Sequence, residues 1–393
     1  MNAASGISQR ANWRDGLAEA LTQTGPLRGG EADLLFLFAS AAYADGFDRL
    51  LAEAAAATRA RVLIGCSGQG VIGLAQEIED EPALSLLALR LPGAVLRPAH
   101  ITQADVERYQ RPEEWHRLTG TPQSVNTLFL FADPFTLDAE RLLAVLSHAY
   151  PGVPLVGGMA SGEPDRRQTH LFLNGDVRDH GAVALALGGA YTVQTIVSQG
   201  ATPIGEPWII TGADGQFIHT IARRPALEVL AETLGGLPAE MQARVRGNLL
   251  VGLAMDEYQQ EFRRGDFLIR NLLGVDRDSG ALVVSALPSV GQTVQFQIRD
   301  AAAADEDLHA MLGAVTAIQG EQPVAALLCA CNGRGVGLFG TPGHDARTLA
   351  ERLGPIPVVG LFCNGEIGPV GSRNFLHGFT ASIALVVPRE SAG

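Results

Sequence analysis

The sequence predicts an α/β (α+β) fold whose mixed sheets are built from a repeated strand–helix–strand–strand unit. Three observations carry this. An apolar run, an amphipathic stretch, a second apolar run ending in a glycine-rich turn, and a further apolar run recur in that order three times. Each unit holds one helix per three strands, whereas a doubly wound parallel sheet needs a helix after nearly every strand. With 47% hydrophobic and 18% charged residues among 393, the chain has the apolar material for a large core. Two such sheets face to face, covered by helices, would give a four-layer αββα arrangement.

The first unit opens with LLFLFAS, Leu34 to Ser40. A helix is expected over about Gly46 to Arg59, where Phe47, Leu50, Leu51 and Ala54 fall at helical spacing. RVLIGCSGQGVIG follows from Arg61, and ALSLLALRLPG closes the unit. The second unit runs through TLFLFADPF from Thr127, a helix from Asp138 to Tyr150, VPLVGGMASGE from Val153 to Glu163, and GAVALALGG from Gly181. The third runs through VAALLCACNGRG from Val324, a helix ending at the natural cap Gly354, IPVVGLFCNGEIG from Ile356, and FTASIALVVP from Phe379.

Between the second and third units a partial copy is expected. NLLVGLAMDE, DFLIRNLLGVD and ALVVSALP read as strands, and TVQFQIRD as a half-exposed one. ADEDLHAMLGAVTAIQG, Ala304 to Gly320, reads as a helix with acidic residues in its first turn, which suits the macrodipole. The turn residues of Gly212 to Gly215 mark the joint, giving an extension over 1–30, a first domain over 31–219 and a second over 220–388.

Composition narrows the function. The net charge is −13 with no basic run, which argues against nucleic acid and against anionic membrane surfaces. No apolar run reaches the roughly 18 residues of a membrane span, and MNAASGISQRANWRDG lacks an apolar signal centre, so a cytoplasmic location is expected. The four cysteines are no disulfide framework, and Cys329 and Cys331 lack zinc-ribbon spacing, so no metal and no cofactor are expected.

The candidate site residues lie at the strand ends. The turns GCSGQG, GGMASG and LFCNGEIG place Cys66, Ser67, Gln69, Ser161, Cys363, Asn364 and Glu366 among glycines, which let a ligand approach the backbone. CNGRG adds Asn332 and Arg334, beside Cys331. Tight turns alone account for the glycines. Polar residues at three such turns favour a shared ligand pocket. Glu366 with Arg373, and His377 after them, could hold the ammonium and carboxylate of an amino acid, or form a local surface ion pair. Arg270 and Asn271 line a pocket or mark a solvent face.

Two rivals are weaker. A phosphate loop needs a helix and usually a Lys after the glycines, and GCSGQGVIG leads into the acidic EIEDEP. A hydrolase using Ser67, Cys66 or Cys363 as nucleophile lacks the second glycine of the elbow, since Gln69 stands there.

Together these segments resemble the FIST family (F-box and intracellular signal transduction proteins). IGCSGQGVIG, EPALSLLALRLPG, LVGGMASG and GAVALAL resemble its N-terminal part, and DFLIRNLLGVD, LLCACNGRGVGLFG, VVGLFCNGEIGPVG and FLHGFTASIALV its C-terminal part, over about 30–388. The resemblance implies a sensory module for signal transduction that binds a small ligand such as an amino acid. It carries no catalytic set. The expectation is a stand-alone sensory protein that catalyses nothing and acts through a downstream signalling partner. A hydrolase and a protein-only scaffold are the alternatives.

Overall fold

The computed structural model describes residues 2–25, 31–162, 166–317 and 322–389. Glu163 and Ile318 to Gly320, at the ends of two expected segments, lie outside them. The chain forms two compact units. The first takes Met1–Val197, Leu308–Leu376 and Thr380–Gly393; the second takes Ser198–Asp307 and His377–Phe379.

The first unit holds three six-stranded sheets. The first sheet runs β1 (Ala3–Ser8), β6 (Leu84–Leu89), β2 (Leu34–Ser40), β3 (Val62–Gly68), β10 (Leu171–Leu173), β11 (Asp176–Arg178). The second runs β24 (Arg373–His377), β23 (Glu366–Val370), β9 (Leu155–Met159), β8 (Thr127–Ala132), β12 (Ala182–Gly189), β7 (Ala94–Ile101). The third runs β13 (Tyr191–Gln199), β25 (Thr380–Pro388), β21 (Ala325–Cys331), β22 (Val358–Cys363), β4 (Gly70–Gly73), β5 (Gln76–Glu79). The mixed α+β class is as the sequence predicts. The number of sheets sharing a core differs from the expected facing pair.

Side chains alternate across each strand, so one face can enter a core while the other meets a helix. Phe36 and Phe38 of β2, Phe129 and Phe131 of β8, and Leu327, Val359 and Val386 of the third sheet meet in one central core. Phe36 and Phe129 touch edge to face at 5.2 Å, Phe38 and Phe131 at 5.1 Å. The outer faces pack on helices. Leu17 and Ala20 of α1 (Trp13–Gln23) and Leu50, Leu51 and Ala54 of α2 (Phe47–Thr58) cover the first sheet. The second sheet is covered by α3 (Gln103–Arg108), α4 (Pro112–Thr119) and α5 (Ala139–Ala149). β1 and α1 thus lie within the stretch read from sequence as an extension, and all six residues of β1 are buried.

Each repeat hands a strand to a neighbouring sheet. After β3 the chain crosses to the third sheet, where β4 pairs with β22. After β9 it crosses to the first sheet, where β10 pairs with β3. After β22 it crosses to the second sheet, where β23 pairs with β9. The three glycine-rich turns are these crossing points.

The second unit is antiparallel throughout. Its sheet runs β14 (Ala201–Asp214), β20 (Thr293–Arg299), β17 (Leu249–Ala254), β18 (Phe267–Asp276), β19 (Ala281–Val284), β15 (Phe217–Ile221), β16 (Arg224–Pro225), and β14 also pairs with β15, which closes a barrel. It is no partial copy of the repeat, because it has no parallel pair and hence no crossover. α6 (Ala226–Gly235) and α7 (Ala239–Val245) pack on it. The turn residues read as the joint end the β14–β15 hairpin within this unit. TVQFQIRD, expected to be half exposed, is buried as β20: Val294, Phe296 and Ile298 fill the barrel, and Gln295 on the other face donates to the Gly205 carbonyl at 2.7 Å.

The third sheet's outer face meets Leu308 and Leu312 of α8 (Ala301–Ala317) and Ala346 and Leu349 of α10 (His344–Leu353), with α9 (Val336–Phe339) between. α8 starts earlier than expected. Asp300 accepts from the Ala302 and Ala303 amides at 3.1 and 3.3 Å, which sets its start and moves Asp305 to Asp307 beyond the first turn.

Candidate functional site

The repeat gives the site its symmetry. Gly65 lies opposite Leu37, Gly157 opposite Leu130, and Gly360 opposite Leu328 in the paired parallel strands. At each, a Cβ would fall 1.7, 2.0 and 2.0 Å from the carbonyl oxygen of that leucine. The neighbouring strand approaches too closely for a side chain. Counting from these glycines, Gln69, Ser161 and Asn364 occupy the same corner position, each before a glycine.

The corners are tied to one another. Ser161 accepts on Oγ from the Gln69 amide at 2.8 Å and donates from Oγ to the Phe362 carbonyl, so one hydroxyl joins all three. The Asn364 amide donates to the Met159 carbonyl at 3.2 Å, and the Met159 amide to that of Gly365 at 2.8 Å. Asn332 extends the knot: its backbone amide donates to the Cys363 carbonyl at 3.0 Å and its Nδ2 to Asn364 Oδ1 at 2.7 Å. The structure therefore brings Ser67, Gln69, Ser161, Asn332, Cys363 and Asn364 to one place.

A pocket of about 180 Å³ opens beside this knot, lined by Gly68, Gln69 and Gly162 of the corners with Ser40, Asp80 and Glu81. Gln69 Nε2 donates to Asp80 Oδ1 at 3.0 Å. Asp80 and Glu81 were not singled out in the sequence, where EIEDEP serves only as an acidic stretch that argues against a phosphate loop. The alternation in QEIE was the available signal for β5 and for the turn after it.

The nucleophile candidates are occupied structurally. Ser67 is fully buried; its Oγ donates to the Ser161 carbonyl at 2.8 Å and accepts from the His170 backbone amide at 3.0 Å. Cys66 and Cys363 are buried in the central core, and burial pushes both thiols up, away from the reactive thiolate.

The remaining candidates lie apart from the pocket. Glu366 is fully buried, with Oε2 accepting from the Thr380 amide and hydroxyl at 3.2 and 2.8 Å. Arg373 is exposed, its guanidinium 5.1 Å from the Phe375 ring centre. His377 is buried and belongs to the second unit. Arg270 is buried on β18 while Asn271 is exposed. Arg334 is buried and grips Asp345 of α10 in two parallel bonds, at 2.7 and 2.9 Å. Burial alone would raise the Asp345 carboxyl, but Arg334 and His344 together outweigh it and hold it down at about 2. Next to this pair stands Glu77 of β5, which the sequence did not single out. Burial, then the Asp345 carboxylate, push Glu77 up to about 7.

Residues 33–224 match the FIST N domain and residues 226–369 the FIST C domain. The chain belongs to the FIST family. FIST domains are sensory domains of signal transduction. An uncharacterized protein of Mycobacterium tuberculosis (strain ATCC 25618 / H37Rv) is 40% identical over 385 residues, covering 97% of this chain and 98% of its own. An uncharacterized protein of Mycobacterium bovis (strain ATCC BAA-935 / AF2122/97) is 38% identical over 386 residues, with the same coverage. Among solved structures, a cyanuric acid hydrolase from A. caulinodans matches with a TM-score of 0.38 and 11% identity over 99% of both chains. A likeness at that score decides neither fold nor chemistry. Among the described residues no helix is long and apolar enough to cross a membrane.

Proposed function

We propose that this FIST protein is a sensor whose signal is the occupancy of the corner pocket by a small amine-bearing metabolite, amino acids included. One observation carries the reading: the pocket is walled by Gln69 and Gly162, and the Ser161 hydroxyl beside them binds the third corner as well. A ligand pressing on that wall bears on three sheets at once. Among the described residues Asp80 and Glu81 line the pocket and no Lys or Arg does, which favours a positively charged nitrogen. The volume suits a small metabolite, with room for about six waters. The signal then passes to a downstream protein in the cytoplasm.

Thermal-shift screening of amines and amino acids tests this. A ligand at a hundred times its Kd should stabilise by about 2.7 kcal/mol. Gly162→Val crowds this wall of the pocket, since a Cβ there already lies 3.0 Å from the Gln168 carbonyl oxygen and 3.7 Å from the Ala41 Cβ. The shift should vanish in that variant. A panel without any shift, or a shift that survives Gly162→Val, overturns the reading.

A further inference from the structure

β5 is the edge strand of the third sheet, and a cleft of about 400 Å³ lies along it, lined by Gln9, Gln76, Glu77, Glu79, Val336 and Arg347 among others. This cavity is separate from the corner pocket; the two share no lining residue. Glu77 and Glu79 are two apart on one strand and so project to the same side. Each has one oxygen engaged by a backbone amide. Glu77 Oε1 accepts from Ala346 in the first turn of α10, and Glu79 Oε1 from Val336 at the start of α9, both at 2.9 Å.

The other oxygen of Glu77 sets the chemistry. Glu77 is only 7% exposed, and its Oε2 is a buried atom with no hydrogen-bond partner. Leaving such an acceptor unpaired is costly, and native structures seldom do so without a bound partner nearby. The cation beside it, Arg334, holds Asp345 through Nε and Nη2, and its Nη1 is a buried donor that has no hydrogen-bond partner either. Among the described residues no group of three or more His, Cys, Asp or Glu side chains could hold a metal ion. A donor carried by an organic group would satisfy that oxygen. An ammonium has three donors and a guanidinium five, enough to serve Glu77 and Glu79 together.

We propose that this cleft is a second binding site, which takes a small organic cation, a primary amine or guanidinium, between Glu77 and Glu79. The groups facing Glu77 are Asp345 from α10, Arg334 from the turn after β21, and Glu79 on its own strand, with His344 behind Asp345 and Arg347 of α10 on the cleft wall. Burial and the Asp345 carboxylate push Glu77 up to about 7, so binding a cation there expels its proton. Affinity should rise with pH.

Isothermal titration of the full chain with agmatine, putrescine and methylguanidine tests the site. Saturable binding to one site is expected for at least one probe, about tenfold tighter at pH 8 than at pH 6. Glu77→Gln and Glu79→Gln should each weaken it at least tenfold, with melting temperatures at or above that of the parent chain. Glu113→Gln, on the exposed face of α4, should leave it unchanged. No binding at millimolar probe, or binding indifferent to Glu77→Gln, overturns the proposal; a water bridging Glu77 and Arg334 would give that result. If Gly162→Val abolishes agmatine binding while Glu77→Gln does not, the cation belongs to the corner pocket. This inference then falls and the sensor reading stands.

Discussion

Glu77 makes the fold sensitive to pH, and the sign follows from where its proton sits. In the unfolded chain the carboxyl titrates near 4.5; in the folded chain it titrates at about 7. Between those values the folded state keeps a proton that the unfolded state has released. Stability is therefore highest at the acid end of that window and declines as pH rises toward 7, by on the order of 3 kcal/mol. Asp345 acts oppositely: its stabilising charge is present above about 4 and is lost as pH falls through about 2. Chemical denaturation across pH 4.5 to 8 should show the decline in the parent chain, flattened in Glu77→Gln, whose Oε1 still accepts from the Ala346 amide. A Glu77→Gln profile parallel to the parent would show that another group titrates. Nothing in the sequence marks Glu77. EIEDEP stands out only as an acidic stretch, and the packing of α10 over β5 buries the Glu77 carboxylate within it.

At the scale of the strand, the repeat was legible because apolar runs and helical spacing are local signals. LLFLFAS, TLFLFADPF and VAALLCACN became β2, β8 and β21, each paired in parallel with the strand after its helix. β1 was not legible: AASGIS has one β-branched residue, and its burial comes from pairing with β6 far along the chain. The glycine turns were legible as turns, but not as crossings between sheets, which is a matter of partner choice. Their glycines differ in kind from glycines elsewhere, and the same substitution separates them. Gly360→Ala puts a Cβ 2.0 Å from the Leu328 carbonyl oxygen, a backbone atom that cannot turn aside. It should cost more than the about 1–3 kcal/mol of ordinary overpacking. Gly313→Ala, inside α8 with nothing within 4 Å of the added atom, should instead stabilise by about 0.5–1 kcal/mol. Urea unfolding of the two variants should give opposite signs; equal effects would mean that the close approach of β21 and β22 is not what requires Gly360.

The whole molecule is where sequence order and spatial order part. Linear reading divides the chain near residue 219, and the family matches divide it between 224 and 226. The compact units divide it otherwise, because the third repeat follows the barrel in sequence yet completes the core begun by the first two. Periodicity cannot reveal this, since it reports which face of a strand is apolar and not which distant strand covers it. The consequence is testable on the 31–219 fragment. It keeps Phe36, Phe38, Phe129 and Phe131 but loses Leu327, Val359 and Val386, the third wall of their core. It also leaves β4 without β22, β9 without β23, and β6 without β1. Three apolar edges and one open core face are more than a domain with marginal stability can carry. The fragment should show no cooperative thermal transition by circular dichroism and should bind a hydrophobic dye, whereas the full chain melts cooperatively. A fragment that unfolds in one sharp, reversible step would show that the first two repeats close their own core, and the three-sheet account of how the corners are held together would fail with it.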